Sequence, residues 1–516
     1  MRRAAVIVVL AGCVHGAVSP KFFDRPIVTK SDDARPIKEP TERPYYSRAY
    51  LADALVFRPL YESLDPREGG LARDVNALDE VPDSTWFTNR LGIRELTPTE
   101  AVTGVDSTGA PVLPFKIIHA KKGGANPGFI AADSRGVKYL VKFDTAANPG
   151  QQTATDAIVN RILWTVGYNT PADYVVYFRR DELTIDPELR TKKGIDEHAV
   201  DAILKNAAKR EDGANRASVS QLLDGVPKNG WAHAGKRGDD PNDRVGHENR
   251  RTVRGLRVFA AWLNHTDMKE DNTLDMYVGK PGEGHLVHYL VDFGEAFAGH
   301  QDENDQAQIG FEYAWDFKAQ GKALFAFGLW KRRWEAQRQT PWKQVGLFSA
   351  IAFDPKRWRE RYPYTPFALA DRADHYWGAK LVMRFDRPML EAIVKTGQLG
   401  DPAAERYVVD TLLARRIAIG RAFLDGVTPL DEITLTADQL CGVDIARRHG
   451  IANDGALVIG DATVPIGGDG KVCTTVPVTP GYHLAKVRIR RADHTTPVLE
   501  IHYVGGPQPH IVGLVR

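Results

Sequence analysis

The polar run His265-Thr266-Asp267-Met268-Lys269-Glu270-Asp271-Asn272, followed at a distance by Asp292, holds the residue types that could do chemistry. A carboxylate such as Asp267 can take a proton, and an ammonium such as Lys269 can neutralise an anion. Asn272 and Asp292 offer oxygen ligands to a hard cation. Between the last two lie apolar runs at 273–278 and 286–291, joined by the turn-rich Gly279-Lys280-Pro281-Gly282-Glu283-Gly284-His285. The pair reads as a β-hairpin. Its arms are about equal in length, so pairing in register sets Asn272 beside Asp292, one strand spacing (~5 Å) apart. With Asp267 on the loop leading in, that spacing suits Mg²⁺, which takes one or two protein ligands and fills its shell with water and phosphate oxygens. Upstream, Val253, Leu256, Phe259, Ala260 and Leu263 recur at three- and four-residue steps. That period predicts a helix ending at Asn264-His265, which delivers the polar loop.

These residues resemble the motifs of the protein-kinase superfamily. His265 to Asn272 matches the catalytic-loop pattern H-R-D-L-K-x-x-N, with Thr266 in place of the Arg, and Asp292-Phe293-Gly294 matches D-F-G. The resemblance implies that Asp267 orients an acceptor hydroxyl, Lys269 steadies a γ-phosphate, and Asn272 and Asp292 hold Mg²⁺. Thr266 removes the Arg that many kinases use to sense a phosphorylated activation segment. Residues 295–305 take the place of that segment, without an A-P-E motif. The chain resembles atypical secreted kinases more than it does the regulatory protein kinases.

The elements that must position this site are also readable. From Pro114 the order is strand, Gly-rich loop, strand, turn, strand. The loop 121–128 carries Gly123, Gly124 and Gly128, and bare backbone N–H groups there could approach phosphate oxygens. Lys142, in Leu140-Val141-Lys142-Phe143, resembles the strand lysine that grips the α- and β-phosphates. A Lys on an apolar strand needs a partner. The next helix, 153–166, offers Asp156, with Gln152 one turn earlier, while Arg161 reads as an exposed-face residue. A strand at 174–178 leads to the hinge. Residues 179–245 read as a charged insertion with little core, its Asp239, Asp240 and Asp243 forming a solvated acidic loop.

Length and composition bound the rest. The 516 residues suffice for two to four domains, and the net charge of +2 gives no bulk attraction for nucleic acid or an anionic membrane. Arg2-Arg3, an apolar run at 4–10 and Ala11-Gly12-Cys13 read as a secretory signal. Leu10-Ala11-Gly12-Cys13 also resembles a bacterial lipobox. That resemblance implies a lipid anchor on Cys13 in the cell envelope, with Val14 pointing to the outer membrane. The remaining cysteines, Cys441 and Cys473, are expected to form a disulfide. Residues 20–110 read as a Pro-rich tether and extension. Trp330, Trp334, Trp342 and Trp358 read as core of a helical region ending in a long amphipathic helix towards Leu424. Past 428, alternating runs predict a small sandwich-like β domain.

The expected architecture is therefore α+β. A two-lobed kinase-like fold (111–178 and 246–427) follows the signal (1–19) and extension, with the insertion inside it and the β domain (428–516) after it. The implied ligands are ATP and Mg²⁺, with a protein, glycan or small-molecule hydroxyl as acceptor. Two other readings stay open: a nucleotide- or metal-binding pseudokinase scaffold, and an interaction protein working through its β domain.

Overall fold

The computed structural model describes all residues except 1–19, 65–69, 107, 122–125, 145–147, 193–195, 206, 300–306 and 328. Cys13, Gly123, Gly124 and the run 300–305 therefore lie outside the described residues. The rest is a mixed α/β chain with four sheets.

Strands β1 (Phe115–Ala120), β2 (Gly128–Ala132), β3 (Lys138–Lys142), β4 (Asp173–Phe178), β5 (Leu183–Ile185) and β6 (Asn215–Gln221) form one sheet in the order β4-β6-β3-β2-β1-β5. Its core joins Phe115, Phe129, Val141, Phe143 and Phe178 to Val200, Leu204 and Val219. The stretch expected to be an insertion thus supplies β5, β6 and the buried helix residues Leu189, Val200 and Leu204. β6 pairs with β3 on one side and β4 on the other. Consequently the chain does not leave the sheet after β4; it returns through β6 first. Its sequence, Asn-Arg-Ala-Ser-Val-Ser-Gln, hides a central strand because the polar side chains find distant partners.

The helix Gln151–Val166 is buried along nearly its whole length. Buried Asp144 accepts hydrogen bonds from the N–H groups of Gln152 and Thr153 at 2.9 and 3.0 Å and so caps its first turn. Arg161, expected on an exposed face, is 4 % exposed and donates to the carbonyls of Val102, Ala157 and Asp173. Gly167 ends the helix at φ 144°, where a Cβ would lie 2.3 Å from the Phe87 ring. Ile158, Ile162 and Leu163 turn instead to a large helical core with Phe259, Trp262 and Trp377. Leu256–Leu263 and Pro402–Phe423 are among the helices built round that core. No helix among the described residues is long and apolar enough to cross a membrane.

The segment expected to be a tether packs on the molecule. Ile37 is buried beside Tyr277 and Leu286, and its N–H donates to the Gly284 carbonyl at 2.8 Å. Glu39 pairs with Lys228 at 2.6 Å, and Arg43 pairs with Glu270 at 2.6 Å. Low apolar content concealed this, because backbone and charged groups make most of the contacts. Of the acids expected in a solvated loop, Asp239 is exposed but Asp240 and Asp243 are buried. Asp243 is buried and accepts from His247 and Arg250, each at 2.8 Å.

Past 428, two sheets share one apolar core. One has the strands β10 (Leu430–Thr436), β11 (Gln439–Asp444) and β14 (Lys471–Thr475). The other has β12 (Ala456–Ile459), β13 (Ala462–Pro465), β15 (Gly481–Arg490), β16 (Leu499–Gly505) and β17 (His510–Val515), in the order β13-β12-β15-β16-β17. Cys441 stands directly opposite Cys473 across the β11–β14 ladder, and the two are bonded. The cross-link closes a loop with a sequence separation of 32. Cys441→Ser with Cys473→Ser is expected to lose about 3–4 kcal/mol by loop-closure entropy. Urea melts of the two versions check this; coincident midpoints would show that the bond adds nothing.

Candidate active site

The polar loop begins where the helix Leu256–Leu263 stops. Asn264 takes a left-handed φ of 49°, and its side-chain oxygen accepts from Trp358 Nε1 at 2.8 Å. The His265 N–H then closes on the Ala260 carbonyl at 2.8 Å. Burial drives the His265 pKa down to about 4, so the ring is neutral. It packs edge-on against Phe293 at 6.0 Å, joining the loop to the Asp292-Phe293-Gly294 turn.

Asp267 is 6 % exposed. Its Oδ2 accepts from Lys269 Nζ and from Asn272 Nδ2, both at 2.8 Å. Asn272 Nδ2 also donates to the Asp267 carbonyl at 2.7 Å. With its nitrogen so engaged, the side-chain oxygen of Asn272 is the atom left to offer a cation. The hairpin β8 (Thr273–Val278) and β9 (His285–Leu290) pairs in register from Thr273↔Leu290, and β7 (Val226–Pro227) flanks β8. The Val291 N–H reaches the Asn272 carbonyl at 3.1 Å, which carries the ladder to the foot of Asp292. The structure thus brings Asp267, Lys269, Asn272 and Asp292 to one end of the hairpin.

The sheet contributes the other half. Lys142 Nζ, on β3, lies 3.0 Å from Asp156 Oδ2 and 2.9 Å from Asp292 Oδ1. Burial alone would lower the lysine's pKa, but the two carboxylates outweigh it and hold the ammonium charged. In return, Lys142 keeps the Asp292 carboxyl below its usual range. Asp292 lies where the hairpin foot meets the sheet residue Lys142, and 57 % of its side-chain surface is open. Its φ is 60°, a left-handed turn that aims the carboxylate back at Lys142.

Asp156 does more than hold the lysine. Its Oδ2 accepts from Ser218 Oγ at 2.9 Å, and its Oδ1 accepts from the Phe293 N–H at 3.0 Å. One carboxylate therefore ties β3, β6 and the Asp292 turn together. Gly294 is close-set here: a Cβ would come within 3.3 Å of Gln152 and 3.6 Å of Asp156. Gly128 lies in β2, where a Cβ would meet the Val141 carbonyl at 2.2 Å, so it permits tight strand pairing. Lys121 donates to the Asn126 carbonyl at 2.7 Å, and Asn126 bonds Gln152 at the head of the helix.

Several contributors escaped the sequence. Ser218 sits on an unrecognised strand. The Arg361 N–H donates to the Thr266 carbonyl at 2.9 Å, and its guanidinium reaches Glu295 Oε2 at 3.2 Å. Nothing in the spacing of 361 from the loop announces that contact. Burial, reinforced by the charge on Asp267, raises the Glu295 pKa from 4.5 to about 7. A raised carboxyl pKa means that the folded chain holds a proton the unfolded chain has already lost. Stability therefore falls as pH climbs from 4.5 to 7. Glu295→Gln is expected to gain on the parent by up to about 3 kcal/mol across that window and then level off. Paired denaturant melts from pH 4.5 to 8 check it, since the opposing titration of His265 cancels in the difference. A flat difference would refute it.

Does this donor set fit Mg²⁺? Among the described residues no three His, Cys, Asp or Glu side chains gather into a cage. One carboxylate and one amide oxygen fit a hard cation that keeps most of its waters.

No family model matches the sequence, nor does any curated protein. Among solved structures, the chain is similar to the crystal structure of the Golgi casein kinase with Mn/ADP bound, at a TM-score of 0.31 and 10 % identity, covering 63 % of this chain and 75 % of that one. A second structure of the Golgi casein kinase matches at a TM-score of 0.27 and 10 % identity, covering 63 % and 74 %. Likenesses of that size carry no weight beside the side-chain geometry.

Proposed function

We propose that the chain is an ATP- and Mg²⁺-dependent phosphotransferase of two-lobed, kinase-like build, acting outside the cytoplasm on a hydroxyl acceptor. The observation that carries the reading is the convergence on Asp292: Lys142 reaches it from the sheet, while Asn272 and Asp267 stand beside it at the hairpin foot. Phosphoryl transfer asks a protein for positioning and charge neutralisation, and each part has a residue here.

Lys142, aligned by Asp156, grips the α- and β-phosphates, and Lys121 adds a second cation at the same mouth. Asp292 and the Asn272 side-chain oxygen are the ligands for Mg²⁺, which when bound neutralises charge on the phosphate chain. Asp267, its carboxylate fixed by Lys269 and Asn272, accepts the hydrogen bond of the acceptor hydroxyl and orients its oxygen at the γ-phosphorus. Lys269, already beside that carboxylate, offsets the charge developing on the transferred group. The Arg361–Glu295 pair holds the catalytic loop against the segment after Asp292 without any added phosphate. Location outside the cytoplasm, through a lipid on Cys13, rests on the lipobox-like sequence.

The test is a thermal shift with Mg-ATP. Nucleotide at 100 times its Kd is expected to stabilise the chain by about 2.7 kcal/mol, and Lys142→Ala to abolish the shift. If no nucleotide with Mg²⁺ or Mn²⁺ moves the melting temperature, the proposal fails.

A further inference from the structure

A large cavity lies away from these residues. It is a groove of about 880 Å³ with Val56 and Pro59 on one wall and Trp315, Phe317, Trp330 and Trp334 on the other. The two last-named tryptophans, expected in the core, are only half-buried here. Around the groove the apolar side chains stand outward. Leu324, Phe325, Phe327 and Leu329 are 72–90 % exposed, and Tyr61 and Leu64 on the facing helix are 68 and 76 % exposed. Single exposed apolar residues are ordinary; a contiguous set marks a surface that something covers.

The charge pattern says what covers it. Between 315 and 334 the sequence carries five Lys and Arg and one acid, Asp316. That acid is spent capping the helix Phe317–Phe325. Arg332 is matched by Glu312 at 2.9 Å, but Lys318, Lys322 and Lys331 pair with no carboxylate among the described residues. Lys322 rests over the Trp330 ring at 4.3 Å. A two-fold contact with a second copy would set this cationic face against itself. Protein interfaces are depleted in Lys at their cores. Trp, Phe and Leu ringed by Lys and Arg is instead the composition that settles at the headgroup–acyl boundary of a bilayer.

We infer that the face formed by 315–327 and 329–331, with Phe57, Tyr61 and Leu64 beside it, docks on an anionic lipid surface, with the protruding phenylalanines inserted and the lysines on the headgroups. The inference does not depend on the phosphotransferase reading, and it adds a protein-borne contact to any lipid on Cys13. It also sets the groove wall at Arg359, two residues from the Arg361 N–H that bonds the Thr266 carbonyl, close to the membrane plane.

The test uses the full chain and vesicles of phosphatidylcholine and phosphatidylglycerol with brominated acyl chains, which quench tryptophans at the boundary. Two surface variants are compared with the parent, Phe325→Glu/Phe327→Glu and Lys318→Glu/Lys322→Glu/Lys331→Glu, after matching melting temperatures show that each folds. The N-terminal apolar run is common to all three, so differences report the face. The parent is expected to quench on anionic vesicles, and the lysine variant to need about a hundredfold more lipid, at roughly fivefold per basic residue. The phenylalanine variant is expected to lose quenching on both anionic and neutral vesicles. Equal binding by all three versions overturns the inference. So does a parent that ignores vesicles, including one that forms a dimer which Phe325→Glu/Phe327→Glu dissolves.

Discussion

Asp292→Asn is expected to cut Mg-dependent nucleotide binding and turnover by at least about a hundredfold while leaving the chain folded. The side chain keeps its shape and loses its charge, and Asn tolerates the left-handed backbone at 292, where φ is 60°. Lys142 keeps Asp156 as a partner at 3.0 Å, so no buried ammonium is orphaned. What disappears is a carboxylate with 57 % of its side-chain surface open, and the loss of one preorganised electrostatic partner costs a factor of about 10²–10³. Calorimetric titration with Mn-ADP, beside a urea melt, separates the two effects. Parental affinity in Asp292→Asn would remove Asp292 from the metal site and with it the basis of the phosphotransferase reading.

Asp156→Ala is expected to act on stability as well. This carboxylate is buried and accepts from Lys142, Ser218 Oγ and the Phe293 N–H. Breaking a buried, hydrogen-bonded ion pair costs about 3–5 kcal/mol. Asp292 still neutralises Lys142, which places the loss near the low end, about 3 kcal/mol. The Phe293 N–H is left without its acceptor, so the turn carrying Asp292 loosens and nucleotide affinity falls too. Asp156→Ala/Lys142→Met is expected to recover part of the stability, because the buried ammonium left with one of its two carboxylates is removed, while Asp292, with 57 % of its side-chain surface open, can turn to water. If Asp156→Ala melts with the parent, the carboxylate is not the tie between β3, β6 and the Asp292 turn. A double variant no more stable than Asp156→Ala would show that Lys142 and Asp156 do not act as a pair.

The half of the site made by one stretch of chain is legible from the residues alone. Equal arms and a turn-rich joint set the register of β8 and β9, and with it the proximity of Asn272 to Asp292. Lys142 stands out because an ammonium on an apolar strand requires a carboxylate, and Asp156 is the acid within reach on the next helix. What the residues do not reveal depends on distant polar contacts. β6 has no apolar alternation, since Asn215, Arg216 and Ser218 are satisfied by groups far away in sequence. Residues 30–44 look unstructured by composition, because backbone bonds and ion pairs hold them. The tryptophans at 330 and 334 mislead in the opposite sense, since ring size alone cannot tell a core position from the wall of a groove. Arg161 is misplaced because an Arg on a helix is exposed by default, whereas this guanidinium is satisfied by the Ala157 carbonyl one turn back and by the distant carbonyls of Val102 and Asp173.

The clasp that Ile37, Glu39 and Arg43 make on Tyr277, Lys228 and Glu270 has a practical corollary. A truncated protein cut to the motif-bearing span, beginning at 111, would strip the cover from Glu270 inside the polar loop 265–272 and from the back of the hairpin. Such a fragment would report inactivity for reasons unrelated to its chemistry. The shortest version fit for assay starts ahead of Lys30, whose backbone already bridges Asp83.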